Sequence, residues 1–95
     1  MKVRWTRDAE RDRATILDWI AAEDLRAAVR MDALFGAAAA RLAAFPMLGR
    51  SGLIAGTREL IPHESYRMVY EIRNDTVWIL ALIHTARLWP PLPEE

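Results

Sequence analysis

The sequence predicts an α+β fold in which a helical hairpin packs on one face of a small, mainly antiparallel, twisted sheet. Apolar residues recur at helical spacing between positions 7 and 45. Two runs of alternating β-branched and aromatic residues, Tyr66–Arg73 and 76–83, flank a two-residue turn. A short strand pattern stands before the helical region and another follows it. The predicted order is therefore β-α-α-β-β-β.

The chain should begin with a strand over Lys2–Trp5 and a helix after it. Thr6 can act as the N-cap of a helix starting at Arg7, and the acidic residues of its first turn suit the positive end of the helix dipole. This helix should end near Ala22. Its predicted buried stripe consists of Ala9, Ile16, Leu17 and Ile20.

A second, longer helix is predicted from Asp24, the next N-cap candidate, to Pro46, which cannot continue it. Apolar residues recur there at intervals of three and four. They are Leu25, Ala28, Met31, Phe35, Ala38, Leu42 and Phe45. The alanines at 37–40 have no bulk, so another element should pack closely against that part of the helix.

The remaining segments read as a loop, a short strand and a tail. Glycines and a proline predict a loop over 46–52, and Pro62 should close a strand over 57–61. Residues 90–95 contain three prolines, so they cannot join a sheet and should form an extended or mobile tail. Ninety-five residues predict a single domain, 1–95.

The hairpin register decides which side chains of the last two strands share a face. If residues 74–75 form a two-residue turn, counting outward places Arg67 opposite Leu82, with His84 one diagonal step away on the same face. The other face is then a core. Its predicted members are Tyr66, Met68, Tyr70, Ile72, Val77, Ile79, Ala81 and Ile83.

Arg67, His84 and Arg87 are the candidate catalytic residues. Arginines could hold a phosphate while histidine, which titrates near neutrality, moves a proton, and this combination suits transesterification of RNA. Arg50 and Arg58 would then steer the RNA onto the sheet. The ordinary alternative is that a strand arginine is merely solvated and that a strand-end histidine caps a backbone group.

Trp78, Leu80 and Leu82 fall on the Arg67 face in the same register and form an apolar strip. An exposed tryptophan could stack on a base. A partner chain explains the strip better, because two leucines continue it and such a strip is unusual on a protein that works alone.

Composition excludes several other classes. The net charge is zero, which argues against independent DNA binding. There is no cysteine, and His63, Glu64 and His84 are too few and too irregularly spaced for a metal site, so no metal or cofactor is expected. No apolar run is long enough for a membrane span, and the first residues are unlike a secretory signal, so the expected location is the cytoplasm.

At residues 48–50, 56–60, 66–72 and 79–87 the chain resembles the RelE/ParE superfamily of toxins from bacterial type II toxin–antitoxin modules, often labelled plasmid stabilisation proteins. The most specific matching feature is a histidine at the strand end, three residues before an arginine, after a Tyr-Arg-x-Val-Tyr strand. The resemblance covers nearly the whole chain and implies a growth-arresting toxin that a cognate antitoxin holds inactive. An antitoxin segment would suit the strip at Trp78.

The resemblance leaves the target open between ribosome-bound mRNA and DNA gyrase. RelE-like members cleave mRNA, and Arg67 and His84 match positions that some family ribonucleases use. ParE-like members inhibit gyrase without catalysis, and the alanine-rich hairpin and the segment 84–87 look more like that branch. The single lysine, Lys2, and Trp89 in place of a tyrosine depart from the ribonuclease pattern. A degenerate toxin that only binds its antitoxin is a third hypothesis.

Overall fold

A computed structural model describes residues 1–87 and 89–90. Its elements, in chain order, are β1 (Lys2–Trp5), α1 (Arg7–Ala21), α2 (Leu25–Ala44), β2 (Arg50–Ser51), β3 (Arg58–His63), β4 (Tyr66–Arg73) and β5 (Thr76–His84). In this described part of the chain, neither helix has the length and apolar character that crossing a membrane requires. Apart from Pro90, the predicted tail lies outside the described residues.

Five strands form one sheet in the order β1-β5-β4-β3-β2. Strand β1 runs parallel to β5, and the other neighbours are antiparallel. Both helices pack on one face, so the predicted α+β fold is confirmed. Two details differ from the prediction: Arg50 and Ser51, expected in a loop, pair with β3, and β3 continues through Pro62 because its register shifts between Leu60 and His63.

Both predicted helix caps are confirmed. The Thr6 hydroxyl accepts a hydrogen bond from the Ala9 N–H at 3.1 Å, and the Asp24 carboxylate accepts one from the Ala27 N–H at 3.0 Å. Each bond satisfies a backbone donor that the first helical turn leaves without an intrahelical partner. These local signals therefore fix where α1 and α2 begin.

The main core lies between the helices and the sheet. Its buried residues are Ala9, Phe35, Ala38, Ala39, Leu42, Tyr66, Met68, Tyr70, Val77, Ile79 and Leu82. The small side chains of Ala38 and Ala39 are buried as expected of a close helix packing. The predicted stripe of α2 is wrong at its two ends, where Leu25 is 69% exposed and Phe45 is 65% exposed.

The turn between β4 and β5 is the predicted two-residue turn, with φ of 50° at Asn74 and 61° at Asp75. The predicted register holds from there to the pair Tyr70 and Ile79. The next pair joins Val69 to Ala81, so Leu80 is an extra residue in β5. Such an extra residue is a β-bulge, and it moves every later side chain of the strand to the other face.

The bulge corrects the predicted faces of β5. Leu82 lies in the main core and is only 3% exposed, whereas it was expected in an exposed strip. Ala81 and Ile83, predicted to face the helices, instead form a second small cluster with Val69, against which Trp89 packs. This cluster lies on the open face of the sheet, the face that the helices leave uncovered.

Side chains of the first helical segment satisfy backbone groups around the bulge. The Asp12 carboxylate accepts a hydrogen bond from the Leu82 N–H at 3.1 Å, and the Thr6 hydroxyl donates one to the Leu80 carbonyl at 3.4 Å. A bulge leaves backbone groups without ladder partners, and buried groups of this kind need a replacement. The bulge is therefore built into the contact between α1 and β5.

Candidate functional site

Arg67 and His84 lie on opposite faces of the sheet. Arg67 is paired with Ile83 and points to the open face, while His84 is paired with Tyr66 and lies on the helix side. The rings of Tyr66 and His84 meet edge to face, with their centroids 5.3 Å apart. The prediction that the two residues share a face is wrong, because counting outward from the turn does not include the bulge at Leu80.

Arg67 is engaged with a buried carboxylate. Its Nε atom lies 3.3 Å from Oε1 of Glu59, and its side chain is 18% exposed. The same Nε makes no hydrogen bond among the described residues, so the contact is an ion pair with poor hydrogen-bond geometry. Glu59 also accepts a hydrogen bond from the Leu53 N–H at 3.2 Å and lies 3.6 Å from a guanidinium nitrogen of Arg50. Sequence reasoning gave Glu59 no role, although an acid within a strand pattern was the available signal.

The two arginines predicted to steer RNA do not form one surface. Arg50 is paired with Glu59 and lies on the open face with it. Arg58 is paired with Tyr70, whose side chain faces the helices, and it donates a hydrogen bond to the Gly49 carbonyl at 2.6 Å. The expected steering role therefore lacks the shared face that it requires.

The predicted apolar strip is interrupted. Trp78 is paired with Glu71 and lies on the open face with Arg67, as predicted, and the guanidinium carbon of Arg73 lies 5.4 Å from the centre of its ring. Leu80 is the bulged residue and is half-buried. Leu82 is buried in the main core, so it is not available to a partner in this conformation.

A cleft of about 380 Å³ lies where α1 crosses the end of β5. It is lined by His84 and Arg87, two of the three predicted catalytic residues, together with side chains of α1 and of the edge of the main core. Its lining residues are Arg11, Asp12, Thr15, Ile16, Trp19, Tyr66, Leu82, His84 and Arg87. Three of them, at positions 11, 15 and 19, recur every four residues and so lie on one side of the helix.

Local hydrogen bonds fix the orientation of His84 in this cleft. Its Nδ1 accepts a hydrogen bond from the Ala86 N–H at 3.0 Å, so the neutral ring carries its proton on Nε2. The Arg87 N–H donates to the His84 carbonyl at 2.9 Å, which holds the arginine in the tight turn after the strand. His84 thus behaves as a strand-end cap, with one ring nitrogen left for other contacts.

Sequence reasoning missed the helix side of the cleft, because the charged face of α1 looks like an ordinary solvated surface. Trp19 was the signal that could have revealed it, since its side chain sits on that polar face and is 72% exposed. Among the described residues, no three histidine or acidic side chains converge as a metal site would require.

Burial raises the pKa of the Tyr66 hydroxyl above its ordinary value of 10.0. The unfolded chain therefore releases this proton at a lower pH than the folded protein does. The stabilisation that Tyr66 provides is complete below about pH 10, the ordinary pKa. It is lost as the pH rises through the folded-state pKa. We expect the free energy of unfolding to fall above about pH 10, by at most about 1.4 kcal/mol per pH unit for one proton. Urea denaturation at a series of alkaline pH values measures this slope. Tyr66→Phe keeps the ring and should have a shallower slope, and an equal slope would contradict the assignment.

Comparison with known proteins assigns the family. The family model described as "ParE toxin of type II toxin-antitoxin system, parDE" matches residues 3–89. The chain is 39% identical over 90 residues to "Putative toxin Y4kP" of Sinorhizobium fredii (strain NBRC 101917 / NGR234), a match that covers 94% of this chain and 93% of that protein. A solved structure described as "Chromosomal ParDE TA system from P. aeruginosa" has the same fold, with a TM-score of 0.79 and 20% identity over 88% of this chain and 95% of that one. The predicted resemblance is confirmed, and the chain belongs to the ParE toxin family of type II toxin–antitoxin systems.

Proposed function

We propose that this toxin arrests growth by binding DNA gyrase and that it does not cleave messenger RNA. The observation that carries the proposal is the separation of Arg67 from His84 by the sheet. Membership of the ParE family points the same way, because the gyrase inhibitors are the ParE-like branch of the superfamily that the sequence resembles.

Cleavage of RNA by transesterification needs a base and a cation that reach the same phosphate group. A phosphate next to His84 lies on the helix side of the sheet, and Arg67 cannot contact it from the open face. The Arg67 guanidinium is also held by Glu59, with 3.3 Å between Nε and Oε1. These contacts support a structural role for Arg67, and without it the ribonuclease centre predicted from the sequence loses one of its three members.

One observation favours the ribonuclease as a second candidate. His84 and Arg87 remain together, and the cleft adds Arg11 and Tyr66 to them. A histidine with two arginines could still move a proton and hold a phosphate. This centre would use a set of residues different from the predicted one.

The proposed inhibitor of the toxin is a cognate antitoxin, encoded by a short reading frame next to its gene. Family membership supports this partner, and so do large apolar side chains that stay exposed on α2 and on the loop after it, such as Val29, Phe45 and Met47. Contact of the antitoxin with Trp78 and Leu80 stays a prediction. Leu82 is removed from that surface because it is buried.

Replacing His84 with glutamine separates the two mechanisms. We expect His84→Gln to arrest growth as strongly as the wild type at matched soluble expression, because binding gyrase includes no proton transfer. Purified His84→Gln should likewise inhibit supercoiling by gyrase, and primer extension should find uncut transcripts. A ribonuclease would instead lose about 100-fold or more of its rate.

His63→Gln is the matched control, since His63 is the other histidine of the chain and does not line the cleft. Loss of toxicity in His84→Gln alone, together with transcript cleavage by the wild type, would replace gyrase inhibition with the ribonuclease candidate. Normal growth with abundant soluble wild-type protein would indicate a degenerate toxin that only binds its antitoxin.

A further inference from the structure

The cleft between α1 and the end of β5 has the composition of a protein-binding site. Its lining includes the apolar side chains of Ile16 and Leu82 and the aromatic rings of Trp19 and Tyr66. Tryptophan, tyrosine and arginine are the residue types that contribute most often to binding energy at protein interfaces, and this cleft contains all three. These four side chains suit a bulky apolar group better than a phosphate group.

The charge of the cleft indicates how much negative charge its occupant should carry. Arg11 and Arg87 supply two positive charges, and the Asp12 carboxylate supplies one negative charge. Asp8 lies 3.9 Å from Arg11 and reduces the positive potential further, although both side chains are largely exposed. Counting the arginines and the aspartate of the lining, the net excess is one positive charge. A single carboxylate matches this excess, whereas the two charges of a phosphate dianion would exceed it.

The carboxylate of Asp12 is part of the fold and cannot leave the cleft at low cost. It accepts the hydrogen bond from the Leu82 N–H at 3.1 Å, beside the bulge of β5. The position of this carboxylate is therefore a fixed part of the site. His84 adds its Nε2–H as a donor, because its Nδ1 accepts the hydrogen bond from the Ala86 N–H.

We propose that this cleft binds a segment of a partner protein in which an acidic residue adjoins a bulky apolar one. The apolar side chain fills the space between Trp19 and Leu82, and the carboxylate pairs with Arg11 and Arg87 at the rim. The site is distinct from the open face that carries Arg67 and Trp78. It does not depend on gyrase being the cellular target, and it involves no bond cleavage.

The experiment uses two capped dipeptides that differ only in charge, N-acetyl-leucyl-aspartate amide and N-acetyl-leucyl-asparagine amide. Each is titrated into the full-length, isotope-labelled protein, and the indole N–H signal of Trp19, assigned through Trp19→Phe, reports binding. We expect the acidic peptide to bind with a Kd of about 0.1–1 mM, which is ordinary for a ligand of that size, and to bind about tenfold more tightly than the amide.

Variants test whether the cleft itself provides this preference. Arg11→Gln and Arg87→Gln should each reduce the preference for the acidic peptide. Trp19→Ala, which lacks the indole reporter and is followed instead at the backbone N–H of Leu82 beside Asp12, should weaken both peptides alike. Arg26→Gln is the matched control, because Arg26 is exposed on α2 and does not line the cleft. Thermal unfolding of each variant establishes that it is folded before it is titrated.

Three results would overturn the proposal. Equal affinity for the two dipeptides would remove the role of the carboxylate, and no saturable shift at about 10 mM peptide would remove the site. Tighter binding of inorganic phosphate or of uridine 3′-monophosphate at the same indole signal would show that the cleft takes a phosphate, which would support the ribonuclease candidate instead.

Discussion

Replacing Glu59 with alanine is expected to lower the free energy of unfolding by about 3–5 kcal/mol. The Glu59 side chain is 2% exposed and lies 3.3 Å from Nε of Arg67. Its removal leaves the Arg67 guanidinium, which is 18% exposed, without its counter-charge, and it also leaves the Leu53 N–H without its acceptor. Urea denaturation followed by circular dichroism measures the change. A domain of this size is stable by only about 5–14 kcal/mol, so the effect should be large.

A second acid–arginine pair on the same sheet provides the control. Glu71 lies 3.2 Å from Nε of Arg73, but these side chains are 30% and 59% exposed, so Glu71→Ala should cost less than about 1 kcal/mol. The double variant with methionine at both 59 and 67 removes both charges of the buried pair, and it should recover most of the stability that Glu59→Ala loses. Equal, small losses in the two alanine variants would show that Arg67 is not tied to Glu59 and is free to act on a ligand.

Gly49→Ala should cost about 2–3 kcal/mol, because this position has no space for a methyl group. A Cβ atom there would lie 2.7 Å from Cε1 of Tyr70 and 2.8 Å from the Glu59 carbonyl oxygen. The close approach serves a hydrogen-bonded link between loop and sheet: the Gly49 N–H donates to the Tyr70 hydroxyl at 2.8 Å, and that hydroxyl donates to the Pro46 carbonyl at 2.8 Å. Chemical denaturation of the variant measures this cost. NMR of the backbone N–H at position 49 shows whether its hydrogen bond to the Tyr70 hydroxyl is lost.

Gly56→Ala is the matched glycine variant. Gly56 has a φ of +82°, but a Cβ atom there would meet no heavy atom within 4 Å. Its cost should be only the left-handed backbone penalty of about 1–2 kcal/mol, without a clash. If Gly49→Ala were as stable as Gly56→Ala, the loop would not be packed against Tyr70 as described.

Local chemistry explains what the sequence predicted well. Thr6 and Asp24 are recognisable N-caps because the hydrogen bonds they accept come from residues three positions ahead. The turn at Asn74 and Asp75 is recognisable because these residue types tolerate positive φ. Such signals need no knowledge of the rest of the chain, and they were sufficient for the fold class and for the order of all elements except the two-residue strand β2.

The candidate site was harder to predict for two physical reasons. Residues 77–83 are apolar at every position, so their pattern does not reveal where the alternation slips by one residue. The cleft combines α1 with the end of β5, about seventy positions apart, as the 3.1 Å hydrogen bond between Asp12 and Leu82 illustrates. Glu59 was overlooked because only the assembled sheet shows that it is buried against Arg67.

The extra residue at Leu80 reverses the parity of β5. Before it, odd-numbered residues such as Val77 and Ile79 face the helices, and after it the even-numbered Leu82 and His84 do so. Consider a relative whose last strand lacks this extra residue. If its residues are aligned with positions 81–84 without a gap, each one is matched to a residue on the opposite side of the sheet. A transferred functional assignment in this segment is meaningful only when the one-residue offset is included.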